Sequence, residues 1–129
     1  MSLKNKLRVM IVDDMSVSRG LLVQSLEEIG ISNIVHENNG KSALVSMTSS
    51  PVHLVISDYN MPEMDGIELL NSMNKFGMKK KTGFILVTGT NNKGVIEQGK
   101  KLGMNNFLRK PFSTAQVKSC IEKVFGDLG

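Results

Sequence analysis

The sequence predicts a three-layer α/β/α domain built on a five-stranded parallel sheet. Three observations point to it. Five short, mostly apolar runs, at 7–12, 33–37, 53–57, 83–87 and 106–109, alternate with longer stretches of helical spacing. Breakers such as Gly30, Pro51 and Gly77 punctuate the alternation. The central run, His53-Leu54-Val55-Ile56-Ser57, is apolar enough for a strand buried on both faces, as parallel strands are. Strand and helix alternating at this spacing imply βαβ units with right-handed crossovers, which place helices on both sides of the sheet.

Taken in order, the first strand is predicted over Leu7 to Val12, interrupted only by Arg8 and followed at once by Asp13-Asp14. A helix is expected from Met15 to Ile29, with Val17, Leu21, Leu22, Leu26 and Ile29 near helical spacing and Gly30 stopping it. Residues 33–37 make a short second strand, and Gly40 to Met47 a short helix ended by Ser49-Ser50-Pro51. The central strand runs into Asp58 and then a turn carrying Pro62. Asp65 and Glu68 have capping-box spacing and open the next helix. After Gly77 comes a basic loop, Lys79-Lys80-Lys81. The fourth strand, Gly83 to Val87, ends on Thr88-Gly89-Thr90.

A weaker helix is predicted from Asn92 to Leu102, because Gly94 and Gly99 each cost on the order of 1 kcal/mol against Ala in a helix interior. The last strand, Asn106 to Arg109, leads into Lys110-Pro111. Ser113 and Gln116 form a second capping box for the final helix, whose apolar positions are Val117, Ile121, Val124 and Phe125. Five helices are expected in all.

At 129 residues and 14.2 kDa, with 40% hydrophobic and 22% charged residues, the chain has the size and composition of one globular domain over 1–129. No apolar run approaches membrane-spanning length, and MSLKNKL lacks the apolar core of a signal peptide. Cys120 is the only cysteine, so no internal disulfide can form and a cytoplasmic location is expected. His36 and His53 have no ligand-like spacing and are read as structural; the nine Met residues read as pliable packing. The net charge of +4 is uneven. Residues 1–92 hold nine basic and nine acidic side chains, whereas 93–129 hold seven basic against three acidic.

The polar residues that end the strands carry the chemistry. Asp13-Asp14, Asp58, Thr88 and Lys110 all fall at carboxyl ends, which line one edge of a parallel sheet, where ligands of such sheets bind. Two carboxylates about 4 Å apart repel by on the order of 4 kcal/mol at an effective dielectric near 20, so the cluster must protonate, spread or bind a cation. All-oxygen donors favour a hard ion, and Mg²⁺ needs only one or two carboxylates. Three carboxylates, one Mg²⁺ and Lys110 balance to zero charge. A carboxylate beside Mg²⁺ can accept a phosphoryl group.

In these residues the chain resembles the receiver domains of two-component response regulators, especially the stand-alone chemotaxis regulators of the CheY type. The resemblance rests on IVDD at 11–14, SDYNMPEMDGIELL at 57–70, VTG at 87–89 and FLRKPF at 107–112, and it spans nearly the whole chain. It implies a flavodoxin-like fold with strand order 2-1-3-4-5. It implies that Asp58 receives a phosphoryl group from a phosphohistidine on a sensor kinase or His phosphotransfer domain. Asp14, Asp58 and the backbone carbonyl of Asn60 would hold Mg²⁺, with Asp13 acting chiefly through water. Lys110 would pair with the phosphoryl oxygens, Thr88 would move its hydroxyl toward them, and the Lys110-Pro111 bond would be cis. The acyl phosphate would be hydrolysed in place, so the signal would be transient, and the chain would be a regulatory phosphoacceptor rather than an enzyme.

Two positions depart from the chemotaxis pattern. The switch aromatic is Phe107, not Tyr, and Thr90 stands where an acidic residue is usual. The output face is expected to be the helix from Asn92, the Phe107 strand and the final helix, packed side by side at one end of the sheet. There Lys93, Lys100, Lys101 and Lys118 would steer an acidic protein target, such as a flagellar motor switch protein, rather than nucleic acid or membrane. Three alternatives stand beside this reading. An Asp-nucleophile phosphatase would want Asp-x-Asp after the first strand, and a flavodoxin-like carrier would want a Ser/Thr/Gly-rich phosphate loop there. A receiver belonging to a longer transcription factor would look the same.

Overall fold

The computed structural model describes residues 2–89 and 92–129. Five parallel strands form one sheet: β1 Arg8–Val12, β2 Asn33–Glu37, β3 Leu54–Asp58, β4 Gly83–Thr88 and β5 Asn106–Arg109, in the order β2-β1-β3-β4-β5. The helices are α1 Leu3–Lys6, α2 Ser16–Ile29, α3 Gly40–Ser49, α4 Gly66–Lys75, α5 Lys93–Lys101 and α6 Thr114–Phe125. The order reverses at β1, which pairs with β2 on one side and β3 on the other. The carboxyl edge between β1 and β3 is therefore the crevice where such sheets take ligands.

Alternation along the strands sorts the interior into two cores. Val9, Ile11, Leu54, Ile56, Ile85 and Val87 face α2 and α6, where they meet Leu22, Leu26, Val117 and Ile121. Met10, Val12, Val55, Phe84 and Leu86 face the other layer, with Ala43 and Met47 of α3, Leu69, Leu70 and Met73 of α4, and Ile96 of α5. β3 is buried along its whole length, as its apolar run requires, whereas β2 at one edge is mostly half-exposed. The two cores differ in composition. Met10, Met47, Met61, Met64, Met73, Met78 and Met104 all pack into the second, and among the described residues the first contains none.

Both predicted capping boxes form. Asp65 Oδ1 accepts from the Glu68 N–H at 2.8 Å while Glu68 Oε1 accepts from the Asp65 N–H at 3.1 Å. Ser113 and Gln116 repeat the exchange at the head of α6. These caps fix where α4 and α6 begin, after the turns that follow Asp58 and Arg109.

Some details differ from the sequence-based expectation. Among the described residues there are six α-helices rather than five, because residues 3–6 wind one turn before β1; a segment that short carries no readable periodicity. The expected basic loop is partly a 3-10 turn, Met78–Lys80. On α2 the buried face is Leu22, Ser25, Leu26 and Ile29, while Val17 and Leu21 are 75% and 53% exposed. At 3.6 residues per turn Leu21 and Val17 lie roughly 100° and 140° around the helix from Leu22, too far to share its stripe. The three elements expected side by side at one end of the sheet do lie there, with α5 and α6 in opposite layers flanking the edge strand β5 from two sides.

Candidate functional site

Each strand end delivers one part of the site. β1 continues its ladder to Asp13, whose N–H donates to the Glu37 carbonyl at 3.1 Å, so the acid pair emerges at the switch point. The Asp13 side chain is fully buried; its Oδ1 accepts from the Met15 N–H at 3.0 Å, and its backbone carbonyl accepts from Arg19 Nη1 at 2.8 Å. Asp58 closes β3, also buried. Behind it, the Gly66 N–H donates to the Tyr59 carbonyl at 2.9 Å, and a Cβ on Gly66 would stand 2.6 Å from the Asp58 carbonyl oxygen. Only glycine lets the head of α4 approach the acid-bearing strand so closely.

Oxygens of Asp13, Asp14 and Asp58 lie within 4.8 Å of one another. Asp13 Oδ2 and Asp14 Oδ1 are buried and have no hydrogen-bond partner among the described residues. Buried orphan acceptors of this kind cost about 1–3 kcal/mol each, more when charged. A hard cation set among them would satisfy both, so the donor set fits a divalent metal bound through oxygen. Asn60 follows in the turn after β3, exposed, and its carbonyl accepts no hydrogen bond among the described residues.

Lys110 supplies the counter-charge. Its Nζ lies 3.0 Å from Asp58 Oδ1, and its N–H donates to the Thr88 carbonyl at 2.8 Å, which ties the turn after β5 to the end of β4. The Lys110–Pro111 peptide is cis. Burial pushes the Asp58 carboxyl above its ordinary range; the Lys110 ammonium opposes that shift and the nearby Asp13 charge adds to it.

Thr88 is the last residue of β4 and is buried; its hydroxyl accepts from Asn92 Nδ2 at 2.7 Å. Phe107 sits half-buried on β5, packed against the Met-rich core, with the Arg109 guanidinium 5.6 Å from its ring centre. Its carbonyl accepts the Cys120 S–H at 3.4 Å. Thr90 lies outside the described residues. Lys93, Lys100 and Lys101 are exposed on α5 and Lys118 is half-buried on α6. His53 is structural, its Nδ1 accepting from the Arg8 N–H at 2.9 Å.

The structure thus brings Asp13, Asp14, Asp58 and Lys110 together, with Thr88 on the adjacent strand end. Sequence reasoning missed two residues. Arg19, one turn into α2, braces the Asp13 carbonyl; its spacing from the acid pair was the available signal. Asn92 was read only as a helix start, although it stands four residues beyond Thr88. Beside Lys110 a cleft of about 590 Å³ opens between α2 and the start of α6, lined in part by Leu21, Pro111, Phe112 and Thr114.

Comparison with known proteins agrees with this geometry. The response regulator receiver domain family matches residues 9–122. A "Probable chemotaxis protein CheY" of Rhizobium etli is 41% identical over 128 residues, covering 99% of each chain. The chemotaxis protein CheY of Pseudomonas aeruginosa is 30% identical over 119 residues, 92% of this chain and 96% of that one. Among solved structures, Vibrio cholerae chemotaxis protein CheY4 superposes with a TM-score of 0.83 at 25% identity, covering 92% of this chain and 98% of the other.

Proposed function

The chain belongs to the response regulator receiver family, and from that premise we propose that it is a phosphorylation-dependent switch of a chemotaxis pathway, with Asp58 as the phosphoacceptor and residues 1–129 acting as one receiver unit. The observation that carries this reading is the pairing of Asp58 with Lys110 at 3.0 Å beside two orphaned carboxylate oxygens. A lone structural ion pair would have no need of the second and third acids.

The chemistry follows from that arrangement. A phosphohistidine on a sensor kinase or His phosphotransfer partner enters by the cleft beside Lys110, where Leu21 and Phe112 offer it an apolar footing. A carboxylate oxygen of Asp58 attacks phosphorus as the N–P bond breaks, and the imidazole nitrogen keeps the electron pair and leaves. Asp14, Asp58 and the Asn60 carbonyl would hold Mg²⁺, with Asp13 acting through water; the ion, when bound, neutralises charge on the transferring phosphoryl oxygens. Lys110 exchanges its carboxylate contact for a phosphoryl oxygen, and the Thr88 hydroxyl turns toward another. Water then cleaves the acyl phosphate in place, releasing inorganic phosphate and restoring Asp58, so the signal is transient.

The output lies at the β5 edge. Inward movement of Thr88 frees space into which the Phe107 ring rotates, and α5, short and glycine-containing, shifts with it. Phe107 has no hydroxyl to offer a target, so recognition falls to shape and to Lys93, Lys100, Lys101 and Lys118. These favour an acidic protein partner in the cytoplasm, of the flagellar-switch kind. Among the described residues no helix is long and apolar enough to cross a membrane.

The experiment is labelling from a kinase phosphohistidine or a small acyl phosphate. Label should appear only with Mg²⁺ and only on Asp58. Full labelling of an Asp58→Asn variant would overturn the assignment.

A further inference from the structure

Asn92 stands at the N-cap of α5, where Asn is among the preferred residues because its side-chain oxygen accepts from an N–H of the first turn. It does not do so here. Its φ and ψ are −106° and 55°, outside the extended region usual for a cap, and its side chain makes no capping bond. Helices α3, α4 and α6, by contrast, are each capped by the side chain at that position, Asn39, Asp65 and Ser113. Asn92 instead donates its amide N–H to Thr88 Oγ1 at 2.7 Å. The hydroxyl so held makes no bond to Asp58 or Lys110 among the described residues. The helix left uncapped is nine residues long and carries Gly94, around which a Cβ would meet nothing within 4 Å.

We propose that Asn92 is a positioning residue of the switch, which holds the Thr88 hydroxyl in the resting state and caps α5 once that hydroxyl has turned away. This rests on the assignment of Asp58 as phosphoacceptor and adds the element that joins it to α5. A threonine hydroxyl can accept from Asn92 and donate elsewhere, so the bond fixes its direction without consuming its proton. When the hydroxyl swings toward an anion on Asp58 to donate that proton, its oxygen moves out of reach and the amide loses its acceptor. Asn92 is then free to adopt extended backbone and accept from an N–H of the first turn. One side chain changes partner, and the order of α5 changes with it.

Beryllofluoride, a tetrahedral stand-in for a phosphoryl group on a carboxylate, provides the test, with Mg²⁺ present throughout. Asn92→Ser retains a good cap but is too short to hold Thr88; Asn92→Ala retains neither function. Asn92→Ser should bind beryllofluoride about fivefold more tightly than the wild type, the worth of one neutral hydrogen bond removed from the resting state. Asn92→Ala should gain less. In a Thr88→Ala background the Asn92→Ser gain should vanish, which a merely structural effect of residue 92 would not do. Amide hydrogen exchange at 93–96 gives the second readout. Protection should rise on loading in the wild type, be present in both states of Asn92→Ser, and be absent from both states of Asn92→Ala. Equal affinities for wild type and Asn92→Ser, or a gain that persists without Thr88, would overturn the proposal alone. Failure of the wild type to take beryllofluoride would overturn it together with the assignment of Asp58.

Discussion

Lys110 Nζ reaches Asp58 Oδ1 at 3.0 Å across an intervening strand, since β4 lies between β3 and β5 in the sheet. The pair therefore bridges the carboxyl edge rather than joining neighbours. Lys110→Ala leaves the buried carboxylate cluster without its cation. Phosphorylation of Asp58 from a small acyl phosphate should slow by about tenfold to a hundredfold, the value of one charge-assisted hydrogen bond. Lys110→Arg should recover only part of that rate, because a planar fork does not reproduce a compact ammonium. Single-turnover labelling measures both.

Asp13→Asn tests the repulsion within the cluster. The amide keeps an oxygen for the Met15 N–H, and its NH₂ can donate to a neighbouring acid. In EDTA the variant should unfold several degrees higher than the wild type, corresponding to on the order of 2 kcal/mol of like-charge repulsion relieved. Added Mg²⁺ should raise the wild-type midpoint and leave that of Asp13→Asn nearly unmoved. Thermal scans with and without the ion decide it.

Two glycines should respond oppositely to alanine. At Gly66 the new Cβ would press to 2.6 Å on both the Asp58 carbonyl and the Leu86 side chain, so Gly66→Ala should cost about 1–3 kcal/mol despite its better helix propensity. At Gly94 nothing lies within 4 Å, and Gly94→Ala should stabilise by up to about 1 kcal/mol. Urea midpoints report the sign of each change.

Burial pushes the Cys120 thiol up to about 11, with Lys123 opposing. Alkylation of the native protein should be negligible at pH 8 and rise only as the pH nears the thiol's own range. The stability consequence has a definite sign. The folded state keeps its proton where the unfolded chain, with a thiol near 9.0, has lost it. Stability from this group is full below pH 9 and declines as the pH rises toward 11. Urea midpoints at pH 8 and pH 10.5, compared with those of Cys120→Ala, should show the wild type losing more.

Charge steering at the output edge should appear in rates. Association of the phosphorylated protein with an acidic target should slow with added salt, and Lys100→Glu with Lys101→Glu should slow it further. Association unaffected by salt and by both reversals would reduce α5 to a solvated surface.

Much of this was readable in the sequence, for physical reasons. Strands buried on both faces are nearly continuous apolar runs, so the acid or hydroxyl at the end stands out: Asp13 after Val12, Asp58 after the run through Ile56 and Thr88 after Val87, whereas Lys110 is marked by the Pro111-Phe112 that follows it. Capping boxes are local and were read correctly at Asp65 and Ser113. The α2 face was misread because Val17 and Leu21 are apolar yet outward, and spacing alone does not separate a core stripe from an exposed one. Asn92 went unnoticed because its bond to Thr88 is made by side-chain orientation, which no periodicity encodes.

The unequal filling of the two layers has a mechanical meaning. The layer with α2 and α6 is packed mainly with Ile, Leu and Val and, among the described residues, no methionine, so its side chains have few torsions to spare. The layer with α3, α4 and α5 is filled by seven methionines, whose unbranched thioethers change shape at little cost. A displacement of α5 is thus cushioned on its own side of the sheet and braced from the other. The molecule is a stiff plate with a compliant lining, and deformation is channelled to the methionine-lined side, where α5 lies.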